Sequence, residues 1–156
     1  MGERSPINDT DARGTFTGVM MNTSRADMVQ AVMEGVAFAI RDSFEIAKSL
    51  GVDIARSTIC GGGSNSALWC KMIANILGIS LNKLEMEQGP GYGACILAMV
   101  GCEEYTSVSD AVKQMVHIDS VIEPDPVLTA RYEQRYQIFQ KIYPSMKSLF
   151  QEMHTE

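Results

Sequence analysis

The sequence predicts an α/β fold, in which short strands alternate with helices around a small sheet. A strand pattern over residues 56–60 runs directly into a glycine cluster and then into an apolar helix pattern. A second strand pattern, residues 79–84, is followed in the same way by another glycine cluster and helix. Helix patterns flank this alternation, so the chain is helix-rich for an α/β fold.

The first predicted elements are an irregular leading segment and a long helix. Residues 1–22 are rich in Gly, Asp, Asn and Thr, with one short strand candidate at residues 15–19. A helix is predicted over residues 24–50, because Ser24 and Asp27 form a capping-box pattern and a glycine ends the segment. Its glycine at position 35 predicts a close-packing site. Its predicted apolar face consists of Met28, Val29, Val32, Val36, Ala39 and Ile40.

Four further helices are predicted by their start and stop signals. The second and third span residues 66–77 and 91–100, and the fourth is short and begins at a Ser-x-x-Asp pattern at residue 107. The last helix begins with Asp125 as N-cap and Pro126 at its first position, and Pro144 predicts a kink or a break. Its predicted inward side chains are Leu128, Tyr132, Tyr136, Phe139 and Tyr143.

Composition limits the possible functions. The 156 residues carry a net charge of −6, which argues against a nucleic-acid partner, since such proteins need a basic face. A nucleotide remains possible, because backbone N–H groups can hold phosphate without net positive charge. No run approaches the ~20 apolar residues of a membrane helix, and no secretory signal pattern is visible, so we expect a cytoplasmic protein without a membrane partner.

The remaining reactive side chains give no catalytic or metal-binding pattern. The four cysteines lack metal-ligand spacing and lie in apolar runs, so they are predicted to be reduced, buried thiols. His117 and His154 are predicted to be surface or packing residues. Glu34 and Arg41 fit either a buried pair or, the favoured interpretation, a solvated helix face. The sequence therefore predicts no metal site and no hydrolytic set of its own.

The two glycine clusters are the candidate site. Gly61, Gly62 and Gly63 follow a strand and precede a helix, where glycine permits close approach of a ligand and free N–H groups favour an anion. The pattern fits neither a P-loop nor a dinucleotide fingerprint, and from the spacing alone a purely structural turn is the favoured interpretation. Gly89 and Gly91 repeat the arrangement after the second strand, either as a packing turn or as a loop that shapes a cleft.

Four stretches match a known family in order and spacing. They are GERSP at residues 2–6 with ARGTFTG at 12–18, VQAVMEGVAF at 29–38, GGGSNSALW at 61–69 and GPGYGA at 89–94. Together they resemble the C-terminal part of FGGY-family carbohydrate kinases, most closely xylulose kinases. The resemblance implies a ribonuclease-H-like fold of the actin, Hsp70 and hexokinase type. Residues 23–156 would form its incomplete, helix-rich C-terminal nucleotide-binding lobe.

The resemblance also implies a reaction and a set of binding residues. The whole protein would use ATP and Mg²⁺ to phosphorylate a small sugar or polyol, with D-xylulose giving D-xylulose 5-phosphate. The implied nucleotide-binding residues are Gly61, Gly62, Gly63, Asn65 and Ser66, with the glycines beside the α-phosphate and ribose and Ser66 near the adenine.

The same resemblance predicts that this chain is a piece of a longer enzyme. The family's catalytic aspartate and most sugar contacts lie upstream of the matched part, in a missing N-terminal lobe. The chain alone is therefore expected to be inactive, to bind ATP weakly or not at all, and to self-associate through uncovered apolar surface. The alternatives are a gluconate, ribulose or glycerol kinase of the same family, or a free-standing nucleotide-binding module without transferase activity.

Overall fold

Three strands form a sheet in the computed structural model, which describes residues 2–86 and 89–154. Strand β1 (Arg56–Ile59) is parallel to β2 (Ser80–Leu84), and β3 (Ile118–Ile122) pairs antiparallel with the other side of β2. The helices of these described residues are α1 (Arg25–Ser49), α2 (Ala67–Leu77), α3 (Gly89–Gly101), α4 (Val108–Met115) and α5 (Pro126–His154), and a short 3-10 helix (Gly62–Asn65) precedes α2.

The chain divides into two compact units. The central unit, Ile54–Pro124, is continuous in sequence and holds the sheet with α2, α3 and α4. The terminal unit combines both ends of the chain, Met1–Asp53 and Asp125–Glu156, and holds α1 and α5.

The apolar side chains of α2 form much of the core of the central unit. The buried residues on this helix include Cys70, Met72, Ile73, Ala74, Ile76 and Leu77. Leu81 of β2, Ile96 of α3 and Ala111 of α4 are buried as well. Full burial of each large aliphatic side chain contributes roughly 1.5–3 kcal/mol, so α2 is held firmly in the unit that carries the glycine clusters.

Helix pairing organises the terminal unit. The ring of Phe38 on α1 packs against three rings of α5, with centroid distances of 6.1 Å to Tyr132, 5.8 Å to Tyr136 and 5.2 Å to Phe139. The carboxylate of Glu34, which is 8% exposed, accepts two hydrogen bonds from Nη1 of Arg135, at 2.8 and 2.9 Å. Aromatic packing and charge pairing thus join two helices that are distant in sequence.

The predicted starts of α1 and α5 are confirmed, whereas α3 begins at Gly89 rather than at residue 91. Ser24 and Asp27 form a reciprocal capping box at the start of α1. The Asp125 carboxylate accepts hydrogen bonds from the N–H groups of Val127 and Leu128, at 2.8 and 3.2 Å. Such caps can be predicted from the sequence because each capping residue and its partner lie within three residues of each other.

The strand predictions are partly wrong. Residues 15–19 form no strand: Phe16 is 50% exposed, and the segment has no ladder partner. Strand β3, which the sequence analysis missed, has a largely exposed side-chain pattern at the sheet edge and so lacks the alternation that predicts a strand. Helix α5 continues through Pro144, so of the two predicted outcomes, a kink or a break, the break does not occur.

Three predictions about burial on α1 are also wrong. Val29, Val32 and Val36 are about half exposed, whereas Ala37 and Phe38 are buried, because α5 covers the neighbouring face. Glu34 and Arg41 do not form a solvated face, since each pairs with a residue of α5. A Cβ built at position 35 meets no atom within 4 Å, so the predicted close-packing site is not used among the described residues.

The thiols differ in burial. Cys70 is buried as predicted, but Cys60, Cys95 and Cys102 are exposed, because apolar composition alone does not say which face of a helix is covered. All four are free. Across residues 2–86 and 89–154, no helix combines the length and apolarity needed to cross a membrane.

Candidate functional site

The two glycine clusters lie at the same edge of the sheet. Strands β1 and β2 run parallel, with Ile59 opposite Lys83 at the end of their pairing. Gly61 follows the carboxyl end of β1, and Gly89, the first residue of α3, follows the carboxyl end of β2. Because ligands of α/β sheets bind beyond the carboxyl ends of parallel strands, the topology brings both predicted clusters to the expected edge. Residues 87 and 88 lie outside the described residues.

The first cluster forms a tight turn. Gly61 has φ 86° and ψ 174°, a backbone conformation that residues other than glycine rarely adopt. Its carbonyl oxygen accepts hydrogen bonds from the backbone N–H of Ser64 at 3.0 Å and from the Ser64 hydroxyl at 2.6 Å. The N–H groups of Gly62 and Gly63 precede this first bond of the 3-10 helix, so the turn itself gives them no acceptor.

The two serines of the motif have different roles. Ser64 is 1% exposed, and its carbonyl oxygen accepts a hydrogen bond from the Cys70 thiol at 3.3 Å. Ser66 is exposed and caps α2, where its hydroxyl oxygen accepts the N–H of Trp69 at 3.3 Å. Ser64 therefore stabilises the turn, whereas the exposed side chains of Asn65 and Ser66 are accessible to a ligand.

The space around the turn is open on one side and filled on the other. A Cβ built at Gly61 or Gly62 meets no atom within 4 Å, so the backbone there is accessible to a ligand. A Cβ at Gly63 would lie 3.0 Å from both Cδ1 and Nε1 of Trp69. A side chain at position 63 would therefore press the ring of Trp69 aside by a few tenths of an ångström, a contact that the sequence analysis did not predict.

The second cluster is anchored by one tyrosine. The hydroxyl of Tyr92, near the start of α3, donates a hydrogen bond to the carbonyl oxygen of Met115, at the end of α4. A Cβ at Gly91 meets nothing within 4 Å, and Gly91 is exposed. The start of α3 thus combines a fixed side chain with open backbone at the edge where Gly61 lies.

Ionisable groups with shifted pKa values lie mainly between helices or at caps. In the terminal unit, burial raises the pKa of the Asp42 carboxyl, and burial and the hydrogen bond to Asp42 raise the pKa of Tyr136. In the central unit, hydrogen bonds from Ser107 and Thr106 lower the pKa of Asp110, which lies in the first turn of α4 after the N-cap Ser107. These shifts reflect helix packing and capping rather than a catalytic group.

Cavities of about 420 and 840 Å³ lie in the terminal unit, and neither is lined by a glycine-cluster residue. Among residues 2–86 and 89–154, no three His, Cys, Asp or Glu side chains gather in a way that could hold a metal ion. The described part of the chain therefore offers an exposed backbone turn, without a metal cage.

The first 102 residues of the chain match a known protein family. Residues 1–102 match the profile of the FGGY family of carbohydrate kinases, C-terminal domain. The chain belongs to the FGGY family of carbohydrate kinases. Its xylulose kinase relative from Staphylococcus epidermidis is 33% identical over 154 residues, which cover 99% of this chain and 31% of the relative. The family inferred from the motif stretches is thus confirmed.

Solved structures of FGGY kinases have a fold similar to that of this chain. A gluconate kinase from Lactobacillus acidophilus superposes with a TM-score of 0.87 at 25% identity, and a ligand-bound xylulose kinase from the same organism with a TM-score of 0.84 at 25% identity. Each comparison covers 97% of this chain and 31% of the other. The chain thus has part of the actin/hexokinase-like, ribonuclease-H-like fold of FGGY kinases and spans about a third of the length of these proteins.

Proposed function

We propose that this chain forms the nucleotide-binding side of an ATP-dependent sugar kinase whose whole protein converts D-xylulose to D-xylulose 5-phosphate. The observation that carries this proposal is the open glycine turn at the carboxyl edge of two parallel strands, in a chain of the FGGY family. A backbone turn with free N–H groups suits an anionic phosphate, and its open side leaves room for the nucleotide. The similarity to a xylulose kinase over 99% of the chain supports the choice of sugar.

Each predicted binding residue has a role in this proposal. The N–H groups of Gly62 and Gly63 face the α-phosphate and ribose, and Gly61 provides the backbone conformation that exposes them. Asn65 and the Ser66 hydroxyl lie on the adenine side; Ser66 already accepts the N–H of Trp69, but its own hydrogen remains available to a ligand. The start of α3, with Gly89 and Gly91, shapes the facing wall of the cleft.

The remaining parts of the reaction belong to sequence outside this chain. Phosphoryl transfer depends on positioning and electrostatic stabilisation across a closed cleft, so a catalytic aspartate and sugar contacts are required from the N-terminal lobe. The described residues do not form a metal cage, and so they do not fit a resident Mg²⁺. The Mg²⁺ of the reaction is therefore assigned to the nucleotide phosphates and to that other lobe.

A gluconate kinase is the second candidate. The superposition on the gluconate kinase has a slightly higher TM-score, 0.87, than that on the xylulose kinase from the same organism, 0.84, at the same sequence identity of 25%. The residues that we assign to the nucleotide contact no sugar, so they do not separate the two substrates.

We place the protein in the cytoplasm, where reduced cysteines persist, because its thiols are free.

The test is an assay of the complete gene product with ATP and a panel of D-xylulose, D-gluconate, D-ribulose and glycerol, in which ADP release is measured. We expect the highest kcat/KM with D-xylulose. Preference for gluconate would favour the second candidate, and no ATP-dependent turnover with any of these acceptors would contradict the proposal.

A glycine variant tests the nucleotide site in the same assay. Gly62→Val places a branched side chain in the open space above the turn, so the KM for ATP should rise at least about tenfold, while the KM for the sugar changes little. Gly101→Ala, at the end of α3 and also in open space, is the matched control and should leave both values unchanged.

A further inference from the structure

Trp69 is the only tryptophan of the chain, and it lies beside the glycine turn. It is half-buried in the first turn of α2. Its backbone N–H donates to the Ser66 hydroxyl oxygen, at 3.3 Å. The same residue therefore holds the cap of the helix and, through its ring, borders the turn that precedes the helix.

The ring presents a particular edge to the turn. The two atoms that a Cβ at Gly63 would meet, both at 3.0 Å, are Cδ1 and Nε1, which belong to the five-membered ring. The indole N–H is consequently on the side of Trp69 that contacts the turn. The Cδ1–Nε1 edge of the ring thus lies against Gly63 and limits the space on that side of the turn.

The indole N–H has no acceptor within the described chain. Indole Nε1–H is a donor only, and a buried indole usually finds a partner. The described residues contain two buried side-chain polar atoms without a hydrogen bond, Oδ1 of Asn82 and Oγ1 of Thr129, and Nε1 of Trp69 is not one of them. Nε1 therefore reaches the protein surface next to Gly63, as a free donor.

We propose that Trp69 is a nucleotide-binding residue, whose ring holds Gly63 in place and whose indole N–H donates a hydrogen bond to a phosphate oxygen of the nucleotide. This inference rests on the proposed function, and it adds a side-chain donor to a site otherwise built from backbone N–H groups. A donor to a charged oxygen forms a stronger hydrogen bond than a donor to a neutral one. Trp69 thereby links the stability of the turn to its affinity for nucleotide.

The kinetic test uses the complete gene product carrying Trp69→Phe. Phenylalanine retains an aromatic wedge but lacks the N–H, so the KM for ATP should rise about tenfold, while kcat changes by less than about threefold. Trp69→Leu loses both contributions and should raise the KM further. Tyr105→Phe, which removes a polar group from another half-buried aromatic residue of the central unit, is the control and should leave the KM for ATP unchanged.

A second measurement is independent of activity. Because Trp69 is the sole tryptophan, the fluorescence of the 156-residue chain reports on this ring alone. Gly63→Ala displaces the ring and should shift its emission, whereas Gly62→Ala, in open space, should not. Equal emission from both variants would overturn the packing role.

The outcomes separate the two proposals. If the wild-type gene product turns over ATP and Trp69→Phe has an unchanged KM for ATP, the binding role of Trp69 is overturned while the kinase function stands. If the wild-type protein has no ATP-dependent activity, the proposed function fails, and the nucleotide contact of Trp69 fails with it. A raised KM together with a shifted emission supports both parts of the inference.

Discussion

The carboxylate of Glu34 joins α1 to α5 through its hydrogen bonds with Arg135. It lies on an apolar helix, and the favoured prediction was a solvated position. In the structure it is nearly buried and accepts hydrogen bonds from Arg135, Gln30 and Tyr132. Its main partner is 101 residues away, so no local pattern could have identified the pair.

Removal of the arginine tests this buried carboxylate. Arg135→Leu leaves Glu34 without its charge partner, and we expect a loss of about 2–3 kcal/mol in the free energy of unfolding of the chain. Arg131→Leu changes an exposed arginine of the same helix and should alter that free energy by no more than about 0.5 kcal/mol. Urea denaturation measures both, and equal values for the two variants would contradict the role of the pair.

The elements of the fold were predictable where their signals are local. The caps Ser24 and Asp125 and the glycine turn before α2 follow from neighbouring residues, and all are present. Strand β3 depends on its pairing with β2, and the covered face of α1 depends on α5. Such partners are set by tertiary contacts, which a single sequence does not display.

Substitution of two glycines, one inside α1 and one just after its end, should have opposite effects on the stability of the 156-residue chain. Gly35 is inside the helix in open space, so Gly35→Ala should stabilise the chain by about 0.5–1 kcal/mol. Gly51 follows the helix end with φ 86°, so Gly51→Ala should destabilise the chain by about 1 kcal/mol. Thermal unfolding of the two variants gives the signs, and a destabilising Gly35→Ala would show that this face is covered.

The leading segment and α5 are joined by a hydrogen bond from the hydroxyl of Tyr143 to the carboxylate of Asp9. This bond raises the pKa of Tyr143 to about 12 and lowers the pKa of Asp9. In the unfolded chain the pKa of Tyr143 is about 10, and in the folded chain it is about 12. The stabilisation from its hydrogen bond is therefore complete below about pH 10 and is lost as the pH rises through about 12. The effect of Asp9 is complete above its ordinary pKa of about 3.9 and is lost as the pH falls through its lowered value.

Tyr143→Phe should remove both pH dependences. The difference in denaturation midpoint between wild type and variant should be constant near neutral pH, and it should shrink in strong acid and above about pH 10. Measurement of the midpoints across this range checks the prediction. A difference that does not change with pH would mean that the bond does not contribute to stability.

At the scale of the whole molecule, the family was predictable from the sequence because the order of the motifs carries it. The sugar side was not, because the chain spans only 31% of its xylulose kinase relative. We predict that the purified 156-residue chain has no ATP-dependent xylulose phosphorylation and binds ATP weakly or not at all. Detectable activity, or sub-micromolar affinity in calorimetry, would contradict this expectation.

The same chain should self-associate. The α1 groove, the cavity of about 840 Å³ in the terminal unit, is lined by apolar side chains that are at least half exposed: Phe16, Val32, Val36 and Ile138. Exposed apolar patches of this kind favour association. Sedimentation should show concentration-dependent oligomers, which Val36→Glu reduces and Val127→Glu, outside the groove, does not. A monomer at all concentrations would contradict the prediction.

The assembly of the terminal unit from both chain ends has a consequence for biosynthesis. During translation, the continuous central unit leaves the ribosome complete, whereas α1 must wait for α5, which is made only after the central unit. In that interval Phe38 and Glu34 lack their partners and are exposed to chaperones and proteases. Nascent chains halted before Pro126 should therefore be cleaved first around α1, while the sheet with its glycine turns is already protected.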